Sequence, residues 1–362
     1  MGKSGDALVS LSRLLPKIPY SQLRLFHGFR WPLEQELRPM SLLLGKKRRY
    51  SSPDRMFFGF QELPTFGKEY WFLYFCDPIR KRQFIATFGR GEGSVAINGN
   101  RLAAQHGKPD LCDLACVYWS LGGGVKRSGG FSSAFAAGMH ENGIISDGKR
   151  VDFVGKYPSY QFLLHDKGRQ VIDVELHARA SGKPFELGHF STSVFGFEMA
   201  NLFLRFSGTL HGKPFSGECY AQKVVAVGPF VPWNWVRVYF ADNSCLDYFS
   251  LRFSPSREWG SITPSNAVFF DAKRRSYRTF HGCKLERDNS RKSWVLLDKE
   301  DNLLLRLRTL RKHRFLFEST GEFRYDQHFV EAVDEETDGA RLAGRPLGDG
   351  IGLLEDASGF ML

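Results

Sequence analysis

The sequence predicts an all-β protein, and three observations carry the prediction. Aromatic residues make up 14% of the 362 residues, with 33 Phe, and aromatic side chains suit a pleated, half-buried surface. The 37 Gly residues supply the turns that such strands need. Apolar and polar positions alternate with period two in many short segments, and no long segment holds a helical stripe. Short strands separated by turn signals fold as sandwiches or barrels. A chain of this length also exceeds the usual size of a single core, so two domains are expected.

Residues 1–45 hold several prolines, Pro16 and Pro19 among them, and no sustained period. They are expected to form an extension. No apolar core of signal-peptide length occurs there. Elsewhere the longest uncharged runs, such as Val224–Val236, reach about 13 residues against the roughly 20 that span a bilayer. A soluble, cytoplasmic protein is expected, with peripheral contact to a membrane surface left open.

The first strands follow. MFFGFQELP leads to EYWFLYFCD, a turn at DPIRKR, and QFIATFGR, a hairpin with aromatics on both faces. Arg101–Ser120 fits either a helix or a strand. Gly122–Ser133 is rich in Gly and Ser and is expected to be a loop. Strands are expected at Val151–Val154, Tyr160–His165, Val171–Ala178 and Leu202–Leu210, and later around Ala267–Asp271, Ser276–Cys283, Trp294–Asp298 and Leu303–Leu310. From Val333 onward an acidic, Gly-rich composition predicts a tail, docking through Ile351–Leu354.

The most informative stretch runs from Asn201 to Phe253. Its strand Trp233–Phe240 puts Asn234, Val236, Val238 and Phe240 on one side and Trp233, Trp235, Arg237 and Tyr239 on the other. One face suits a core, and the other suits the wall of a greasy pocket with a few fixed polar groups.

The six cysteines sit mostly alone in apolar segments, which reads as reduced, buried thiols. Cys112 and Cys116 lack the second pair or the nearby His of a zinc site. The net charge is +11, with basic clusters at Lys46–Arg49, Arg80–Arg82, Lys273–Arg275 and Arg306–Arg314. Much of this charge falls in expected turns, where a solvated rim is favoured over nucleic acid or lipid headgroups. Walker loops, Gly-x-Ser-x-Gly elbows and His-Glu-x-x-His are absent.

The segment Ser207–Arg252, SGTLHGKPFSGECYAQKVVAVGPFVPWNWVRVYFADNSCLDYFSLR, resembles the signature region of the carotenoid hydratase and tocopherol cyclase-like superfamily. Gly208–Gly217 matches its glycine-bounded hairpin. Tyr220, Ala221 and Lys223 match a Tyr-Ala-Glu-Lys form, Trp233 and Trp235 the aromatic strand, and Leu246–Arg252 the closing strand. The resemblance implies two tandem lipocalin-like antiparallel barrels and an apolar isoprenoid or lipid ligand. It implies no cofactor. Where the family carries its acid this chain has Gln222, which cannot donate a proton to an alkene.

Other residues must then supply the acid. Asp247 alternates with Cys245, Phe249 and Leu251, so it sits on an apolar face where a carboxylate needs a partner or a proton. Arg237 and Arg252 are candidate partners. Glu69, beside Trp71, and Glu198 are secondary candidates, and His189 is a candidate acid or base. Gln222 would orient a ligand or a water, and Lys223, next to it, would point away from the cavity. Tyr220, Trp233, Trp235, Arg237, Tyr239, Trp71 and Tyr70 are the expected ligand-binding residues.

The resulting expectation is an N-terminal extension (1–45), a first barrel (46–212), a second barrel (213–332) and a tail (333–362). The expected activity is a cofactor-independent hydratase, cyclase or isomerase acting on a large apolar ligand. A non-catalytic lipid carrier is the alternative, and a basic nucleic-acid-binding barrel is the third reading. The oligomeric state is not readable.

Overall fold

A computed structural model describes residues 53–58, 67–91, 94–103, 112–122, 124–135, 143–146, 150–179, 185–191, 196–227, 232–251, 265–318, 321–333, 340–342 and 345–360. The expected N-terminal extension lies outside the described residues. One short helix, α1 (Pro53–Phe58), precedes β1 (Gly67–Asp77), β2 (Arg82–Gly91), β3 (Ser94–Ile97), β4 (Asn100–Ala103), β5 (Cys112–Gly122) and β6 (Val125–Phe135). Then come β7 (Gly143–Ile145), β8 (Val151–Lys156), β9 (Ser159–Asp166), β10 (Arg169–Ala178), β11 (Phe185–Ser191), β12 (Gly196–Leu210) and β13 (Lys213–Val227). The second half holds β14 (Trp233–Phe240), β15 (Cys245–Leu251), β16 (Asn266–Asp271), β17 (Ser276–Phe280), β18 (Lys284–Asp288) and β19 (Ser293–Leu297). It ends with β20 (Leu303–Glu318), β21 (Glu322–Val333), β22 (Ala340–Leu342), β23 (Arg345–Gly348) and β24 (Gly350–Phe360).

All but β22 and β23, which pair with each other, form two curled antiparallel sheets, each a half-barrel, as the all-β tandem lipocalin-like expectation required. Sheet one runs β6-β5-β2-β1-β13-β12-β10-β9-β8-β7, with β11 paired to β12. Sheet two runs β17-β16-β15-β14-β24-β21-β20-β19-β18, and the β3–β4 hairpin adds to β20. Asn98 ties that hairpin down, because its side chain exchanges hydrogen bonds with the backbone of Arg314 and Leu316. The expected domain boundary after residue 212 falls at the turn joining β12 to β13, and both strands belong to sheet one.

Period-two alternation builds three apolar layers. Along β1, Trp71, Leu73 and Phe75 face the interior of sheet one with Phe84, Phe88 and Phe162. Helix α1 closes this interior with Met56, Phe57 and Phe58, and Trp71 Nε1 donates to the Phe57 carbonyl at 2.7 Å. The alternate residues Phe72, Tyr74 and Cys76 face outward, yet they are buried, because sheet two packs against them with Trp235, Tyr239, Phe329 and Leu353. A third layer, with Val236, Val238, Leu246, Leu305 and Leu354, fills sheet two. Five described cysteines are free and buried. Among the described residues no helix is long and apolar enough to cross a membrane.

Three local expectations are corrected. Gly122–Ser133, expected as a loop, lies mostly on β6, paired along its length with β5. Its glycines serve close approach: a Cβ on Gly129 would stand 2.6 Å from the Tyr118 hydroxyl and the Asp166 carboxylate. The end of the ambiguous Arg101–Ser120 segment is strand β5. The expected tail contains β24, which lies between β14 and β21 near the middle of sheet two.

Candidate functional site

The layer between the sheets gathers the polar groups. On β14, Trp235, Arg237 and Tyr239 point into it, while Val236 and Val238 point into the sheet-two core. Antiparallel register sets Asp247 of β15 opposite Arg237. The Arg237 Nη1 donates to the Asp247 carboxylate, and the Trp235 Nε1 donates to the same group at 3.1 Å. The Arg237 Nε donates to the Tyr239 hydroxyl at 3.0 Å. Its guanidinium lies 4.4 Å from the Tyr220 ring centre and 4.8 Å from that of Phe203, an arrangement favoured by the ring quadrupole. Gln222 donates to the Tyr220 hydroxyl at 2.8 Å and to Asn201 at 2.9 Å.

An open cleft of about 160 Å³ ends on this cluster. Tyr220, Arg237 and Asp247 line it, together with Arg179, Phe270 and Tyr277. Pockets that enclose a drug-sized ligand run to roughly 300–1,000 Å³, so this cleft is smaller than such a pocket. Burial pushes the Cys245 thiol at its wall up to about 11. At neutral pH it is a thiol and not a nucleophilic thiolate.

Deeper in the same layer lies Glu355, on β24. It stands opposite Trp235 on one neighbouring strand and Gln327 on the other. Trp233 Nε1 donates to its Oε2 at 2.8 Å, Gln327 Nε2 lies 3.3 Å from its Oε1, and Tyr325 donates to it through a short contact. Trp119 holds Gln327 in turn, through an Nε1 to Oε1 bond of 2.7 Å. Burial raises the Glu355 carboxyl to about 7; hydrogen bonds from Tyr325, Trp233 and Gln327 oppose the rise, and the nearby Asp247 charge adds to it. A dry carboxyl at this value is near half-protonated at neutral pH, the condition for acid–base work. Half-buried Tyr70 is pushed upward by burial and then by the Glu355 charge.

The remaining expected residues divide between places. Tyr220, Arg237 and Asp247 line the cleft, Trp235 and Tyr239 bond Asp247 and Arg237 from behind, and Gln222 bonds Tyr220. Trp233 and Tyr70 neighbour Glu355. Trp71 and Glu69 lie inside sheet one. There Glu69 is bound by Arg90 at 2.8 Å and Lys223 at 2.6 Å, with all three side chains buried. Lys223, expected to point away from a cavity, is fully buried with its ammonium 4.8 Å from the Trp71 ring centre. Burial lowers its affinity for a proton, and Glu69 works against that. His189 lies on β11 opposite buried Glu198, and its side chain lies outside what is described. Among the described residues no cluster of His, Cys, Asp and Glu could hold a metal ion.

No protein-family model matches the chain, and no curated protein matches it. Its structure is similar to that of a provisionally named AttH from Nitrosomonas europaea. That alignment has a TM-score of 0.53 at 16% identity and covers 88% of this chain and 98% of the other. The likeness is one of fold. Kievitone hydratase from Nectria haematococca aligns with a TM-score of 0.43 at 8% identity, over 86% and 93% of the two chains. CghA aligns at 0.42 with 11% identity, over 81% and 88%.

Glu355 was missed in the sequence because GIGLLEDASGF follows an acidic, Gly-rich run and reads as tail. One signal was present: Leu353, Glu355 and Ala357 alternate like any strand. For Asp247, by contrast, its apolar face points to an arginine partner, Arg237 or Arg252, and the structure supplies Arg237.

Proposed function

We propose that the chain binds an apolar small molecule in the intersheet layer and acts on it by proton transfer from Glu355, as a hydratase, cyclase or isomerase. The position of Glu355 carries this reading: a buried carboxyl, held by neutral donors and surrounded by aromatic rings. The resemblance of Ser207–Arg252 to the carotenoid hydratase and tocopherol cyclase-like superfamily supports an isoprenoid alkene as the substrate class. In the proposed step the Glu355 O–H proton adds to one alkene carbon. The ring faces of Trp233, Trp235 and Tyr220 stabilise the cation that forms on the other. Water or an internal nucleophile then bonds to that cation, and its proton returns to the Glu355 carboxylate. Asp247, ion-paired with Arg237, sets the orientation of Trp235 and Arg237. Glu69 has a structural part in this scheme.

Binding without turnover is the second reading, favoured by Gln222 at the position of the family acid. One experiment separates the two. Purified protein is incubated with geranylated phenols in D₂O, and products are examined by mass spectrometry for carbon-bound deuterium. Under the catalytic reading the wild type incorporates deuterium, and Glu355→Gln loses about 10²–10⁴-fold in rate while still binding the phenol. Equal incorporation by the variant rejects Glu355 as the acid. Binding with no incorporation by the wild type supports the carrier.

A further inference from the structure

The two arginines at the cleft are used differently. The Arg237 guanidinium is committed to Asp247, to the Tyr239 hydroxyl and to three ring faces. Arg179 is not. Its side chain is only 9% exposed, and its position is fixed by a backbone hydrogen bond from Arg179 N–H to the Phe203 carbonyl at 3.1 Å. Its guanidinium lies 5.7 Å from the Phe270 ring centre.

Of its five N–H donors, Nη2 reaches the Asn243 carbonyl at a long 3.4 Å. The Nε lies 3.1 Å from Glu218 Oε2, yet neither atom makes an aligned hydrogen bond. Glu218 is shared with Arg205, whose Nε is 3.4 Å from the other carboxylate oxygen. Among the described residues, Arg179 Nη1 has no acceptor.

The charged side chains that line the cleft are two arginines and one aspartate, and buried Glu218 pairs with Arg179 beside it. Phe203, Tyr220, Phe270 and Tyr277 supply flat apolar walls. A planar cation at an aromatic-walled cleft, with N–H groups to spare, is the recognition element for a carboxylate.

We propose that the ligand is an amphipathic carboxylic acid, seated with its carboxylate on Arg179 and its ring or chain directed along Tyr220 and Trp235 toward Glu355. This rests on the intersheet layer being the ligand site, and it names the polar end of that ligand.

A matched pair of probes tests it. The affinities of 2-naphthoate and its methyl ester are measured by isothermal titration calorimetry on the full chain at pH 7.5. Charge-assisted hydrogen bonds of this kind correspond to an advantage of about 10–100-fold for the acid over the ester. In Arg179→Gln that advantage should vanish while ester affinity stays within about threefold. If this variant fails to fold, Arg179→Lys decides, because losing the planar fork should cut the advantage at least about threefold. Equal affinity of acid and ester for the wild type overturns the proposal, as does an advantage that survives in the variant that folds. In either case ester binding and Glu355-dependent deuterium uptake would stand. Failure of both probes to bind would remove the intersheet site as well.

Discussion

Glu355 and Glu69 are both buried carboxyls, and their neighbours give them different work. Glu355 takes hydrogen bonds from Trp233, Tyr325 and Gln327. Glu69 takes two cations, Arg90 and Lys223. Removing one partner of a buried ion pair strands the others, at a cost of about 3–5 kcal/mol. Glu69→Gln should therefore lose that much stability in urea unfolding, and a change below about 1 kcal/mol would mean the cluster does not hold sheet one. The sequence placed Gln222 and Lys223 on opposite faces of β13, with Lys223 outside any cavity that Gln222 faces. Gln222 does bond Tyr220 in the intersheet layer, and Lys223 points the other way, into a core that sheet one closes around it. Which face of a strand is dry depends on what packs over it, and local alternation carries no such information.

At the level of elements, strands with regular alternation were legible and Gly-rich strands were not. Trp233–Phe240 and Val171–Ala178 show their period directly. In β6 and β24 glycine reads as a breaker, but there it lets two backbones approach. A Cβ on Gly352 would stand 2.1 Å from the Arg237 carbonyl and 2.8 Å from the Val238 Cα. Because β24 joins β14 to β21, the clash would push apart the strands that carry Trp235 and Gln327 around Glu355. Gly352→Ala should thus cost about 1–3 kcal/mol in overpacking and weaken binding of the apolar probe as well. Thermal unfolding and calorimetry on one preparation would check both. Wild-type values in both would show that the contact is easily relieved.

For the whole molecule, the all-β class was legible from composition and period and the tandem barrels from the resemblance of Ser207–Arg252, and the aromatic layer between the sheets was not. Its aromatic members come from β1, β5, β13, β14, β20 and β21, far apart in the chain, and only the sheet-to-sheet packing brings them together. That layer makes the site dry, and dryness raises the Glu355 carboxyl. The carboxyl moves from an ordinary 4.5 to about 7 on folding, so the folded state binds the extra proton. Its contribution to stability is complete below about pH 4.5 and is lost as pH rises through 7. Glu355→Gln cannot ionise and escapes that loss. Urea unfolding of both proteins at pH 4.5 and pH 8 measures the difference. Between those two pH values the stability of Glu355→Gln relative to the wild type should improve by about 3 kcal/mol. A difference independent of pH, or one that moves in favour of the wild type as pH rises, would contradict a dry, protonated acid between the sheets.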